Sequence, residues 1–213
     1  MKLYGSLTSP YVRKARILLE EKNIACELIV DSPWEAESKI PQLNPLGKVP
    51  VLMLDNGKPL FDSSLILEYL DSLGGEPLIP ARGDARWDVL RWANLGQGML
   101  DATVVRLLES RRPADKQDAS VIKRQESKIA SALAFAEQSA RGDAYLVGGR
   151  FSLADLAFAT ALEYLDFRYA HDWRSGHARL AHWLAGISAR GSFVATVPPG
   201  MEKSEKPSSN ARH

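Results

Sequence analysis

Sequence patterns typical of β-strands occur only near the start of this 213-residue chain. Short apolar runs lie at residues 2–4, 26–30, 51–54 and 59–61, bounded by turn or helix-start residues. Beyond residue 84 the apolar residues recur instead at the spacing of helical turns. We therefore expect an α/β domain at residues 1–77, an all-helical domain at residues 84–199, and a disordered tail at residues 200–213.

The order of these patterns predicts the topology of the first domain. A helix pattern separates the first two strands, and strands joined in this way are parallel with a right-handed connection. Asn56-Gly57 separates the third and fourth strands, and this dipeptide favours a hairpin turn. A helix that begins after Asp62 completes the order βαβ-ββα, which describes a compact mixed sheet with helices packed on it.

Composition excludes several classes of protein. Apolar residues make up 45% of the chain and charged residues 25%, which is ordinary for a soluble globular protein. The net charge of +1 gives no reason to expect nucleic acid as a partner. The single cysteine, Cys26, excludes an internal disulfide and fits a reducing compartment. No signal peptide or membrane-spanning run is visible, so we expect a cytoplasmic protein that does not enter membranes.

The first helix begins with strong capping chemistry. Ser9 is a favourable N-cap, and Pro10 suits the first helical position because it has no N–H group to leave unbonded. The helix that follows has one apolar face and one basic face, the latter carrying Arg13, Lys14 and Arg16. Later in the chain, Ser152 and Asp155 form a capping-box signal. They precede a helix that is apolar on most of its circumference, which we expect at the centre of the second domain.

Two neighbouring segments predict a ligand site. Pro50 stands at the entrance of the third strand, which indicates an edge strand or a bend and is compatible with a cis Val49–Pro50 bond. In that arrangement the backbone N–H and C=O groups of Val49 are free to pair with the peptide groups of a ligand. Asp62 and Ser63 place an acceptor and donors at a helix N-terminus. Together these segments predict a site for a small zwitterionic peptide.

Four motifs, in this order and at these spacings, resemble the glutathione S-transferase family, in the bacterial form that has serine at the activating position. They are SPYVR at residues 9–13, NPLGKVPVL at residues 44–52, Asp62-Ser63, and SLAD at residues 152–155. The resemblance extends to about Pro199. It implies a thioredoxin-like domain followed by an all-helical domain, which is the layout expected above.

The resemblance also implies how the peptide is held. Val49 pairs through its backbone with the cysteinyl unit of glutathione, just before a cis Pro50. Asp62 and Ser63 bind the ammonium and carboxylate of the γ-glutamyl unit. Many family members have glutamate where Asp62 stands, so the reach of this carboxylate is shorter here.

Further contacts are implied at the ends of the ligand. Lys48 lies near the glycyl carboxylate, and Gln42 is a weaker candidate for contact with glutathione. Ser9 occupies the activating position, with Thr8 as the alternative hydroxyl. A hydroxyl that donates to sulfur stabilises the thiolate by roughly 1.5–3 kcal/mol, which lowers the thiol pKa by about one to two units.

The expected activity is attack by this thiolate on a small, hydrophobic electrophile, with glutathione as co-substrate and no metal. We expect the electrophile between the domains, against residues 91–112, with Leu100, Val104 and Arg106 facing it. The family also implies a homodimer, in which Asp101 reaches toward the partner's glutathione.

Other functions remain open at this point. One is a different glutathione-dependent reaction: isomerisation, dehalogenation or disulfide reduction. The lack of a cysteine near Ser9 argues against thiol exchange. Another is a binding module that uses the same fold without catalysis. A serine hydrolase is disfavoured because all four histidines lie in the last quarter of the chain and no Gly-x-Ser-x-Gly motif is present.

Overall fold

A computed structural model describes residues 1–140 and 144–201. Its first part contains, in chain order, β1 (Lys2–Gly5), α1 (Pro10–Glu21), β2 (Glu27–Val30), α2 (Ile40–Leu43), β3 (Val51–Met53), β4 (Pro59–Leu60) and α3 (Ser63–Ser72). Its second part contains α4 (Asp84–Ser110), α5 (Ala119–Ser139), α6 (Leu153–Arg168), α7 (Ala178–Ser188) and α8 (Gly191–Ala195), with short 3₁₀ turns at Ala114–Lys116 and Arg174–Gly176.

The four strands form one mixed sheet in the order β2-β1-β3-β4. β1 and β2 are parallel, whereas β1 with β3 and β3 with β4 are antiparallel. The predicted order βαβ-ββα and the all-helical second part are therefore both confirmed. The predicted boundary near residues 77–84 falls in the segment between α3 and α4. Of the predicted tail, Gly200 and Met201 are described, and residues 202–213 lie outside the described ranges.

Pro50 marks a bend and not a sheet edge. β3 lies between β1 and β4, so the edge-strand interpretation was wrong. Pairing with β1 begins at Val51, opposite Tyr4, so the missing N–H of Pro50 removes no bond from the ladder. The Val49–Pro50 peptide bond is cis, in agreement with the sequence-based expectation.

The basic residues of α1 do not form a solvent-facing side. The side chains of Arg13 and Lys14 are almost completely buried, because α1 packs against the helices of the second part as well as against α3. Arg13 forms an ion pair with Glu163 of α6 and donates a hydrogen bond to the carbonyl of Phe193 in α8 at 3.3 Å. A charge at this depth is tolerated only with such partners.

α6 forms the centre of the helical part, as predicted. The Asp155 side chain accepts hydrogen bonds from the backbone N–H and the hydroxyl of Ser152, at 2.9 and 3.0 Å, and so completes the capping box. α4 crosses α6 very closely at Gly96, where an added Cβ would lie 2.9 Å from backbone atoms of Ala157. The two helices therefore approach with backbone nearly against backbone.

Candidate functional site

Three loop segments lie together at one end of the sheet. β1 and β3 are antiparallel with Tyr4 opposite Val51, so the loop after Gly5 and the corner before Val51 leave the sheet together. β3 and β4 pair Leu52 with Leu60, so the segment that follows β4 lies at the same end. The register thus brings three of the predicted segments into one neighbourhood: residues 6–9, Val49–Pro50 and Asp62–Ser63.

Ser9 caps α1, as predicted. Its backbone is extended, and its Oγ accepts a hydrogen bond from the Val12 N–H at 3.4 Å. Among the described residues, the Ser9 hydroxyl has no acceptor for its own proton. Ser9 is half-buried, so its hydroxyl proton remains available to a ligand that lies beside the loop at residues 6–9.

Thr8 has a different environment. Its hydroxyl lies 3.2 Å from the Ser6 hydroxyl, and its backbone N–H donates to Ser6 Oγ at 3.4 Å. The two hydroxyls thus bond to each other within the loop, and either can be the donor. Of the two candidate hydroxyls, Thr8 is paired with another side chain, whereas the Ser9 hydroxyl only accepts the bond that caps α1.

The corner before β3 is fixed by Asn44. This buried side chain donates from Nδ2 to the Lys48 carbonyl at 2.8 Å and accepts at Oδ1 from the Leu46 N–H at 3.0 Å. Gly47, with φ of +60°, takes the left-handed conformation that lets the chain turn between them. Within the described ranges, neither the N–H nor the C=O of Val49 has a hydrogen-bond partner. The sequence-based interpretation of this motif did not recognise Asn44 as its support.

Asp62 and Ser63 begin α3. Asp62 Oδ1 accepts from the Ser64 N–H at 2.9 Å, while its second carboxylate oxygen has no partner in the described part of the chain. The residue Ser63 is only 2% exposed, and no hydrogen bond of its hydroxyl is found there either. The pair therefore presents a carboxylate oxygen and a hydroxyl that the fold does not use.

Lys48 and Gln42 are both exposed. In the regions that the structure describes, Lys48 has no carboxylate within ion-pair distance. Gln42 lies in α2 and its side chain makes no hydrogen bond with the same residues. Both residues precede β3 in the chain, Gln42 in α2 and Lys48 after it, and neither forms a hydrogen bond with Ser9.

A polar network joins α1 to α4 beside this region, and sequence reasoning missed it. Tyr11 Oη donates to Asp101 Oδ1 at 2.6 Å, and Gln97 Nε2 donates to the same oxygen at 3.1 Å. Lys14 Nζ donates to Gln97 Oε1 at 2.6 Å. Asp101, which was expected to reach toward the partner's glutathione, bonds here to Tyr11 of its own chain. Its role toward a partner stays a prediction.

Burial shifts the pKa values of Lys14 and Tyr11, two members of this network. It lowers the pKa of Lys14 to about 8, against the opposing effect of Asp62 and Asp101. Burial also raises the pKa of Tyr11, and the hydrogen bond to Asp101 raises it further. The charge of Asp62 acts on the pKa of Tyr11 in the same direction.

The residues expected to face a second substrate do not share a surface. Leu100 is 0% exposed, so it belongs to the core and lines no open cleft. Arg106 Nε donates to Glu126 of α5 at 2.8 Å and the guanidinium stacks on Tyr169, on the side of α4 opposite Gln97. Val104 is half-buried. The structure therefore does not support Leu100 or Arg106 as lining residues: Leu100 lies in the core, and Arg106 lies on the side of α4 opposite Gln97, which contacts α1.

Concave surfaces of about 500, 320 and 450 Å³ lie on the helical part, and none of the residues lining them is a predicted site residue. The described residues include no group of three or more His, Cys, Asp or Glu side chains arranged to hold a metal ion. In the same ranges no helix is both long and apolar enough to cross a membrane.

Known proteins resemble the chain over most of its length. The uncharacterized GST-like protein YibF of Escherichia coli (strain K12) is 38% identical over 206 residues, covering 93% of this chain and 99% of the relative. A glutathione S-transferase from Methylobacillus flagellatus KT, solved with glutathione bound, is 39% identical with a TM-score of 0.90, covering 92% of this chain and 98% of its own. A glutathione transferase family member from Pseudomonas fluorescens Pf-5, solved with S-(propanoic acid)-glutathione, is 40% identical with a TM-score of 0.83, covering 93% and 100%.

Two sequence profiles of one family also match. The profile of the glutathione S-transferase N-terminal domain matches residues 3–78, and that of the C-terminal domain matches residues 119–186. The sheet with its helices and the helical part agree with the thioredoxin-like and all-helical domains that this family implies. The chain therefore belongs to the glutathione S-transferase family.

Proposed function

We propose that this protein is a glutathione transferase of the serine type. The observation that carries the proposal is the convergence of Ser9, Val49–Pro50 and Asp62–Ser63 at one end of the sheet, each with polar groups that the fold leaves unbonded. Similar proteins solved with glutathione or an S-substituted glutathione support the same ligand. A glutathione-dependent function follows from this combination more directly than from the fold alone.

In this proposal the peptide lies extended along the corner before β3. The Val49 N–H and C=O pair with the cysteinyl unit, as a further strand would. The free oxygen of Asp62 accepts from the γ-glutamyl ammonium, and the Ser63 hydroxyl donates to the γ-glutamyl carboxylate. Lys48 supplies a positive charge for the glycyl carboxylate, and Gln42 is a secondary contact.

Ser9 then stabilises the thiolate. Its proton is donated to the sulfur while its oxygen continues to cap α1, so the serine need not ionise and requires no base. The N-terminal dipole of α1 acts in the same direction. A free thiol has a pKa of about 8.5, so a decrease of one to two units raises the ionised fraction at pH 7 from a few per cent to between about a quarter and three quarters.

The proposed electrophile has an apolar body. From Asp101, the face of α4 that turns toward α1 continues to Val105 and Leu108, which are 43% and 41% exposed. These side chains form an apolar strip beyond the thiol position. They replace Leu100 and Arg106 as the proposed lining of the second-substrate site.

A glutathione titration monitored by thiolate absorbance tests the proposal. We expect wild type and Ser9→Ala to bind glutathione, with a much smaller thiolate signal in Ser9→Ala. Ser9→Gly separates the two roles of the serine, because glycine costs the helix cap only a few tenths of a kcal/mol but has no hydroxyl. Thr8→Val is the matched control and should keep the wild-type signal. Equal thiolate signals in wild type and Ser9→Gly would remove Ser9 from the mechanism.

We also propose a homodimer, on the observation that several large apolar side chains remain uncovered. Trp87 of α4 is 67% exposed and Leu65 of α3 is 47% exposed. Light scattering of the purified protein tests this, and a monomer across the micromolar range would contradict it.

A further inference from the structure

Four side chains join the start of α1 to the middle of α4. Tyr11 and Lys14 lie three residues apart on α1, so they share one face of that helix. Gln97 and Asp101 lie four residues apart on α4 and share a face in the same way. Tyr11 Oη donates to Asp101 Oδ1 at 2.6 Å, and Lys14 Nζ donates to Gln97 Oε1 at 2.6 Å. The two helix faces are therefore in direct contact.

The donors and acceptors of this network have only one consistent order. The Lys14 ammonium can only donate, so the Gln97 amide turns its oxygen toward Lys14 and its nitrogen toward Asp101, at 3.1 Å. An ionised carboxylate can only accept, so the Tyr11 phenol is the donor to Asp101. Burial and the bond to Asp101 raise the pKa of Tyr11, so the phenol keeps its proton where a thiol ionises. The orientation of the Tyr11 ring is thus fixed from α4.

Tyr11 links the proposed thiol position to the apolar strip of α4, which consists of Val105 and Leu108. Its backbone is two residues from that of Ser9, a separation of at most about 7 Å. Val105 follows Asp101 by one helical turn, so the strip begins next to the carboxylate that holds the phenol. Tyr11 is half-buried, so part of it is accessible to a ligand. The ring is placed at the end of the strip nearest the proposed sulfur.

A fixed ring at this place has a use beyond holding the helices together. α1 also packs against α3, α6 and α8, so its position in the fold does not depend on this network alone. A side chain that is already held in its bound position loses little entropy when a ligand packs against it, and this increases affinity. An apolar group attached to the sulfur gains most from such a preorganised surface.

We propose that Tyr11 determines specificity for the second substrate and that Asp101 and Gln97 are positioning residues that act through it. The Tyr11 ring packs against the apolar body of the electrophile beside the sulfur. This inference rests on the proposed function and names the residue that recognises its second substrate. Because the ring is so near the thiol position, the preferred compounds carry an apolar group directly on the reactive carbon, as benzylic electrophiles do.

The test measures the affinities of S-benzylglutathione, S-methylglutathione and unsubstituted glutathione by calorimetric titration. We expect wild type to bind the benzyl form at least about tenfold more tightly than the methyl form. Tyr11→Phe keeps the ring but loses the bond to Asp101, so it should reduce this preference about threefold. Tyr11→Ala removes the ring and should abolish most of the preference. Tyr11→Phe should bind unsubstituted glutathione as wild type does, with the same thiolate absorbance.

A double-mutant cycle shows whether Asp101 acts through Tyr11. Asp101→Ala alone should reduce the benzyl preference about as much as Tyr11→Phe, and the combination should reduce it no further. A merely structural role would lower thermal stability without changing the preference. Tyr69→Phe, in α3, is the matched control, because among the described residues the Tyr69 hydroxyl has no hydrogen-bond partner. It should keep the full preference.

Equal affinities of wild type for the benzyl and methyl forms would overturn the inference while leaving the proposed function intact. An unchanged preference in both Tyr11→Phe and Tyr11→Ala would also overturn it. Additive losses in the cycle would show that Asp101 does not act through Tyr11. If wild type binds none of the three ligands, the proposed function itself is wrong.

Discussion

Lys22 and Asp71 form a buried ion pair, with Nζ 2.8 Å from Oδ1, that ties the end of α1 to α3. The Lys22 ammonium also donates to the backbone carbonyls of Asp71, Gly74 and Glu76. The same carboxylate accepts from the N–H groups of Leu78 and Ile79, at 2.8 and 3.0 Å. One buried pair thus holds the segment that leads from the sheet domain to α4.

We expect Asp71→Asn to destabilise the fold by about 3 kcal/mol, because it leaves the buried Lys22 ammonium without a counter-charge. Urea denaturation measures the loss. Asp88→Asn is the control, since Asp88 is exposed and its pair with Arg91 is a surface pair; it should change stability by less than about 1 kcal/mol. Similar losses in the two variants would show that the buried pair has no special role.

Two glycines of α4 give opposite predictions. Gly96→Ala should destabilise by about 1–3 kcal/mol, because the new methyl group meets the backbone of Ala157 and Phe158. Gly98→Ala should stabilise by roughly 0.5–1 kcal/mol, because the site is open and alanine is the better helix former. Thermal unfolding of both variants checks the pair, and a stabilising Gly96→Ala would contradict the close crossing of α4 and α6.

Lys14 should make stability depend on pH in the alkaline range. Its pKa is about 8 in the folded chain against the usual 10.5. Between these values the unfolded chain holds the proton and the folded chain has released it, so the unfolded state binds more protons and stability rises with pH. Below the lower value both states are protonated, and the folded state carries the cost of the buried charge.

Lys14→Met removes this contribution. The free energy of unfolding of wild type minus that of the variant should rise by more than about 1 kcal/mol from pH 7.5 to 9.5. Lys58→Met, in the exposed hairpin turn, should show a difference that does not change with pH. A flat difference for Lys14→Met would mean that Gln97, Asp62 and Asp101 keep the lysine charged throughout this range.

Asn44→Ala tests the support of the Val49 corner. Loss of the bonds to Lys48 and Leu46 frees the segment before β3, so glutathione affinity should fall about tenfold, or 1.4 kcal/mol. Asn94→Ala, on the exposed face of α4, should leave affinity unchanged. If Asn44→Ala lowers thermal stability but not affinity, Asn44 supports the fold without positioning Val49.

Features set by local backbone chemistry could be predicted from sequence. The Ser9, Asp62 and Ser152 caps, the turn at Asn56-Gly57 and the corner at Pro50 each depend on a few neighbouring residues. Residue type and spacing therefore suffice to recognise them.

Features set by packing between distant segments could not be predicted. Nothing in the sequence around Lys14 indicates that α4 covers it. The burial of Leu100 and the ion pair of Arg106 depend on how α4 packs, and helical periodicity alone does not show which face of the helix meets α1. The Tyr11–Asp101 and Lys14–Gln97 hydrogen bonds identify that face.

Because three loops converge at one end of the sheet, the residues proposed to bind the tripeptide are separate from those proposed to bind the second substrate. The groups proposed to hold the tripeptide belong to residues 9–63, whereas the side chains of the apolar strip proposed to lie beyond the sulfur belong to α4, later in the chain. Under the proposed function, replacements at Val105 or Leu108 are therefore expected to alter which compound is accepted without moving the corner at Val49. Diversification of the acceptor can proceed while the thiol donor stays the same.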